Sequence, residues 1–569
     1  MTLRRARFGL AAALVGCATF LGAGPASAAA PVPTLVFIVH DVSFEQLLAV
    51  PEIASLASVG GAALMTHDDT LLAQVKTLTS GASPPSGVVV HDVGTLSQDH
   101  VAVQAFGLIV RRAVMKASEG SPIQVVVAAV GRSPEMISAK DELTAIVLAV
   151  GRVPGLFAVA GSPHTLTSDS TRRVGVVDGI DLRATVLAAL GEPSIEGSPI
   201  RVVDAPAPFD LHARYLAMRR MTVPIQTAAG LFVGIAALMG VAALALRRRI
   251  PRWFGALAAW IAMSVPALSI ALLMAGHLPS LTYATVVPFI VAATTAGTVA
   301  FVPVARARGT FAAIAWIGAA SLAAIGLEAA VGWTACLTPF LGGSQLDGGR
   351  YFGLPNVYIG LMLGAGLFVA HRFASPTAGA ALLVGAALFA GAPSVGANLG
   401  GAVTLFAGAG LWYGLRTSRG RVGVRTVVIT GVATVAGTLV VLVANRYLPG
   451  PPTHITRFVE GQNGGLWSTI VSRLGVGVHL IADNAFALLP VLGVPLCLWV
   501  VLRPPEPVAA GFRVSGAWRD AALAIFLGSV VAYVANDSGA AALGLGFGLG
   551  LGGLLFVSLR EGAGMMGSA

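Results

Sequence analysis

Apolar positions change their rhythm near residue 222. Before it, short β-branched runs alternate with stretches whose apolar residues recur every three or four positions. "TLVFIVHD", residues 34–41, predicts a buried strand, and "PEIASLASVGG" a helix closed by glycine. "VAVQAFGLIVRRAVMKASEG" predicts a helix, and "IQVVVAAVG" and "LFAVAGS" predict strands. "DLRATVLAALGEP" predicts a short helix stopped by Gly191 and Pro193. Strands alternating with helices predict an α/β domain with a mostly parallel sheet over residues 31–222. That length suffices for one buried core.

From Ile225 onward the pattern is nearly continuous apolar sequence. Eleven runs stand out: 225–246, 253–274, 281–304, 310–331, 355–370, 376–391, 398–415, 426–445, 481–502, 520–535 and 539–559. A helix needs about 20 residues to cross the hydrocarbon core. The fifth, sixth and tenth runs are near or below that limit, and one of them is a candidate re-entrant segment. The expectation is an all-α polytopic membrane domain of about eleven helices over residues 223–569.

Composition agrees. The 569 residues are 56% hydrophobic and 11% charged, against about 25% charged in soluble domains. The only lysines are Lys76, Lys116 and Lys140, an arginine bias that fits a GC-rich bacterial genome. The net charge of +10 does not imply a nucleic-acid partner, because the arginines sit in short loops between apolar runs. With the N-terminal domain outside, fifteen arginines fall in cytoplasmic loops or at the C-terminus and four in outer loops. That satisfies the positive-inside rule and makes the C-terminus cytoplasmic. Residues 1–28 read as a signal peptide: Arg4, Arg5 and Arg7, then an apolar stretch, then Ala26-Ser27-Ala28. "LVGC", ending at Cys17, offers lipidation as an alternative. Cys17, Cys336 and Cys497 have neither disulfide-framework nor zinc spacing.

Two near-repeats carry candidate chemistry. "LVFIVHDVS" begins at Leu35 and "VVVHDVG" at Val88. Neighbours in a strand point to opposite faces, so one residue of each His-Asp pair cannot join a shared site without a bulge. "TLVFIVHDVSFEQLLAVPEIASLASVGGAALM" resembles the opening of the alkaline-phosphatase superfamily, and "STRRVGVVDGIDLRATVLAALGEP" resembles its closing segment. The whole chain resembles bacterial membrane proteins that join such a domain to a multi-pass region. The resemblance implies Asp41 as first metal ligand and Thr77, Thr79 or Ser80 as nucleophile. A two-metal site clamps the attacking and leaving oxygens, but the later Asp-His ligands have no counterpart in the second half of the domain. The expectation is therefore a degenerate, non-catalytic domain. The alternative is a phosphoesterase or phosphotransferase that uses a divalent metal.

Polar residues in the membrane region cluster on the expected outer side. "LGGSQLDGGRYFGLPN" supplies Asp347, Arg350, Tyr351 and Asn356. "PPTHITRFVEGQNGGLWSTIVSRLG" supplies His454, Arg457 and Glu460 at helical spacings of three. "NDSG" supplies Asn536 and Asp537, and Glu328 lies near the outer end of the fourth run. Solvated loops would explain many of these residues. Glycines beside Arg, Tyr and Trp also suit a polar head group or sugar, with Arg holding phosphate by bidentate hydrogen bonds. The expected partners are membrane lipid, an envelope glycan or a lipid-linked substrate. A flippase or transporter and a lipid-linked glycan ligase remain alternatives.

Overall fold

The computed structural model describes residues 32–40, 44–66, 88–95, 100–118, 122–130, 143–151, 156, 164–191, 197–205, 208–347, 351–448, 488–536 and 539–561. Strand β1, Thr34–His40, is apolar from Leu35 to Val39 because both its faces are covered. Leu35, Phe37 and Val39 face helices α1 (Phe44–Leu48), α2 (Pro51–Val59) and α3 (His100–Ser118), where Leu47, Leu56 and Phe106 complete one core. Val36 and Ile38 face the other way, toward Leu182 and Val186 of α4, Gly179–Ala189. Each such side chain, fully buried, contributes about 1.5–3 kcal/mol.

The remaining strands are β2 Gly61–Thr66, β3 Val88–Thr95, β4 Ile123–Val130, β5 Leu143–Gly151, β6 Thr165–Thr167, β7 Val176–Asp178 and β8 Arg201–Val203. The sheet order is β3-β1-β4-β5-β2-β6-β8, with β7 on β2. The expected mostly parallel sheet is mixed instead. Strand β1 is parallel to β3 and β4, and β2 to β6 and β7, but β5 is antiparallel to both β4 and β2, and β8 to β6. Residues 131–142 between β4 and β5 are at the lower limit of a parallel crossover, which usually needs a helix. The "LFAVAGS" strand lies outside the described residues except Leu156.

The sheet domain leads directly into a 37-residue helix, α5, Phe209–Ala245. This helix runs through the expected domain boundary at residue 222. Helices follow at α6 Arg252–Ala275, α7 Tyr283–Ala300, α8 Val302–Arg308, α9 Thr310–Ala330, α10 Val357–Ala370, α11 Pro376–Gly391, α12 Leu399–Thr417, α13 Val424–Tyr447, α14 Leu488–Leu502, α15 Glu506–Val514, α16 Gly516–Ala535 and α17 Gly539–Glu561. Among the described residues, seven spans are long and apolar enough to cross a bilayer, with α7 and α8 counted as one. The bent pair α14–α15, kinked by 66°, would make eight. The chain is a multi-pass membrane protein. Helices α10 and α11 are shorter, as their runs are, whereas the tenth run belongs to a full 20-residue helix, α16. Glycines allow close crossings: a Cβ on Gly360 of α10 would lie 2.0 Å from the carbonyl oxygen of Ala542 in α17.

Candidate functional site

Twin arginines join the two parts of the molecule. The turn after β6 is tied by Arg172 N–H donating to Ser168 O at 2.9 Å and Thr171 Oγ1–H donating to Val176 O at 2.7 Å. It holds Arg172 at φ 54°, a left-handed conformation uncommon for a side chain of this size. The turn projects both arginines onto the helical bundle. Arg172 Nη1 donates to Pro393 O at 2.7 Å, and its guanidinium lies 4.7 Å from the Phe352 ring centre.

Arg173, 8% exposed, goes deeper. Its Nε donates to Tyr351 O at 2.9 Å, and Nη2 to Trp333 O at 3.1 Å and Gln345 Oε1 at 2.6 Å, while Nη1 donates to Gly332 O. A planar fork with five donors can serve several acceptors at once. Burial lowers the Arg173 pKa, opposed by the nearby Cys336 and Glu328 groups; burial likewise lowers that of Arg172, opposed by Asp169.

Asp181, in the first turn of α4, supports this turn from inside the sheet domain. Its Oδ2 accepts from Asp178 N–H and its Oδ1 from Ser198 N–H, each at 2.9 Å. Burial pushes its carboxyl pKa up, against hydrogen bonds from Ser168, Ser170 and those two amides. Thr185 Oγ1 donates to Asp181 O at 2.6 Å and accepts from Ile200 N–H at 2.9 Å. The Asp and Thr of "DLRAT" thus hold backbone in place in this chain.

The bundle's half of the junction is the connection between α9 and α10. Trp333, 1% exposed at φ 63°, donates Nε1–H to Val395 O at 2.9 Å. Gln345 donates Nε2–H to Gly353 O at 2.7 Å. Cys336 Sγ lies 3.7 Å from the Tyr358 hydroxyl, and burial pushes its thiol pKa up. Glu328, with a fully buried side chain, ends α9 beneath this connection. Its Oε2 is 2.5 Å from His277 Nε2 and its Oε1 accepts from Ala335 N–H at 2.7 Å.

The sequence-selected residues divide. Tyr351 is buried, and its carbonyl takes the Arg173 bond. The Asp347 backbone ends the short 3-10 helix Gln345–Asp347. Asn356 Oδ1 accepts at 3.0 Å from Nδ2 of Asn398, which caps α12 by accepting from Gly401 N–H. Asn536, 2% exposed, donates to Thr404 Oγ1 at 3.3 Å and to Ala532 O at 2.9 Å. Asn356, Asn398 and Asn536 therefore gather at the N-terminal end of α12. Asp41, Thr77, Thr79, Ser80, Arg350, His454, Arg457, Glu460 and Asp537 lie outside the described residues.

His40 and the His91-Asp92 pair lie in neighbouring strands but out of step, with a register shift between Ile38 and His40. Phe37 pairs with His91 and Ile38 with Asp92, whereas His40 pairs with Thr95. Three residues of offset is about 10 Å along a strand. Among the described residues, no three His, Cys, Asp or Glu side chains converge as a metal-ligand set. Arg172, Arg173, Trp333, Gln345 and the His277–Glu328 pairing escaped the sequence reading; the adjacent arginines of "STRRVG" were the available signal.

Comparison with family models, curated proteins and solved structures returns no match to this chain.

Proposed function

We propose that this chain is an exported bacterial envelope protein whose non-catalytic, alkaline-phosphatase-like domain sits outside the membrane on about eleven helices. It binds or handles an envelope glycan, lipid or phosphate-bearing ligand at the outer face. The observation that supports this best is the Arg173 junction. It bonds the sheet domain to the connection before α10, the same stretch of chain that carries Tyr351 and Asn356. The sidedness follows from fifteen arginines against four. Arg350→Ala and Arg457→Ala should each fail to complement a knockout while leaving expression intact; wild-type complementation by both removes the outer face as the site.

The phosphoesterase alternative makes a separate demand. Full-length protein in detergent would hydrolyse phosphate mono- or diesters with added Zn²⁺ or Mn²⁺ and lose that activity in Asp41→Ala.

A further inference from the structure

A groove of about 570 Å³ runs between α5, α6 and α7, lined among others by Ile225 and Phe232, Trp260 and Leu272, and Val287 and Thr294. All three helices belong to spans long and apolar enough to cross a bilayer. The medium against those walls is therefore hydrocarbon. We propose that the groove holds one chain of a phosphate-headed membrane lipid, with the phosphate against Arg214 and His277.

Charge and spacing choose this occupant. Arg214 precedes Ile225 by eleven residues and Ile225 precedes Phe232 by seven, so all three lie near one face of α5. The Arg214 guanidinium reaches past the end of α6, where it donates to Gly276 O at 2.8 Å, Leu278 O at 2.6 Å and Pro279 O at 3.0 Å. Carbonyls orient that charge without neutralising it. Asp210, one turn earlier on α5, acts on it electrostatically but forms no ion pair with it.

His277 lies within the same stretch. Its Nε2 is fixed on buried Glu328, its side chain is 32% exposed, and its Nδ1 has no partner among the described residues. Leu272 is five residues before His277, and Val287 is four after Tyr283, whose hydroxyl donates to Arg220 O at 3.3 Å. At 1.5 Å per residue His277 stands about 8 Å above Leu272, the upper groove residue of α6, a gap suited to the glycerol linker between phosphate and chain, while the Arg214 backbone stands about 16 Å above Ile225 and its side chain reaches the carbonyls beside His277.

This inference rests on the outer-face reading but is read out separately. The full chain in detergent is given phosphatidylglycerol or phosphatidylcholine in mixed micelles, and retained lipid is counted by native mass spectrometry. One phosphatidylglycerol should remain, preferred over phosphatidylcholine by about fivefold. Millimolar inorganic phosphate should not displace it, since the chain carries much of the binding. Ala228→Phe with Thr294→Phe fills the groove and should abolish retention; His277→Ala should keep the lipid but lose the preference. Arg214→Ala also uncaps α6, so the groove and His277 variants decide. Retention unchanged in the filled groove, displacement by free phosphate, or equal retention of both lipids by wild type overturns the proposal. Intact retention in Arg350→Ala and Arg457→Ala proteins that still complement would sink the outer-face reading alone.

Discussion

Arg173 and Gln345 meet at 2.6 Å, one from a turn of the sheet domain and one from the connection between α9 and α10. Gln345 is itself held by its bond to Gly353 O. The contact is thus between two positioned groups. Together with the carbonyls of Gly332, Trp333 and Tyr351, it makes one guanidinium the chief polar link between the sheet domain and that connection.

Arg173→Ala should loosen the domain from the bundle. It leaves buried carbonyls without their donor, and breaking a buried charged network costs about 3–5 kcal/mol. Thermal unfolding in detergent should begin earlier, and mild proteolysis should release the sheet domain. Arg173→Lys should recover less than half of the loss, because an ammonium cannot reproduce the fork. Wild-type protease resistance in Arg173→Ala would refute the link.

Asp181→Asn tests the support behind that turn. The two carboxylate oxygens each accept a backbone N–H, whereas an amide offers one acceptor and turns its NH₂ toward the other donor. At neutral pH the variant should lose about 1–3 kcal/mol. The folded Asp181 pKa is raised above its ordinary value, so the folded state binds more protons in that window. Stability from this group therefore falls as pH rises through it and grows as pH is lowered. Wild type should gain on Asp181→Asn upon acidification just above pH 3.8, measured by denaturation of the two proteins side by side.

Strand β1 was legible because an unbroken apolar run of five signals a strand covered on both faces. Each of the eleven apolar runs overlaps a helix, but among the described residues only seven or eight spans are long and apolar enough to cross a bilayer, and helix lengths were less legible. Helix α16 begins at Gly516, and its first turn carries Arg519, at which the apolar run stops short. Asp520 lies 3.4 Å from Arg416 of α12, a pairing visible only in three dimensions. Arg214, Arg219 and Arg220 similarly hid the first sixteen residues of α5. The junction was hardest to see. Arg173 binds three carbonyls, and every residue type has a carbonyl, so side-chain identity carries no trace of the acceptors.

Gly360→Ala should disrupt the crossing of α10 and α17. The added Cβ would sit 2.0 Å from Ala542 O and 2.8 Å from Gly546 N, both backbone atoms that no rotamer change can move. Relief requires separating the helices, and overpacking of this kind costs about 1–3 kcal/mol or more. The melting temperature in detergent should fall clearly. Gly385→Ala, with nothing within 4 Å of the added Cβ, is the matched control and should melt like wild type.

Glu328 holds His277 by one carboxylate oxygen and the Ala335 amide by the other, so its two substitutions should behave differently. Glu328→Ala strands a buried amide and frees the imidazole, with an expected loss of about 2–4 kcal/mol. Glu328→Gln can still accept from Ala335 through its carbonyl oxygen. Its NH₂ would then face His277 Nε2 and require that nitrogen to accept. Stability should stay within about 1 kcal/mol of wild type, while ¹⁵N spectra of histidine-labelled protein show Nε2 of His277 changed from donor to acceptor. If Nε2 stays a donor in Glu328→Gln, the carboxylate does not set the role of that nitrogen. Glu328 would then serve only to close the turn at Ala335.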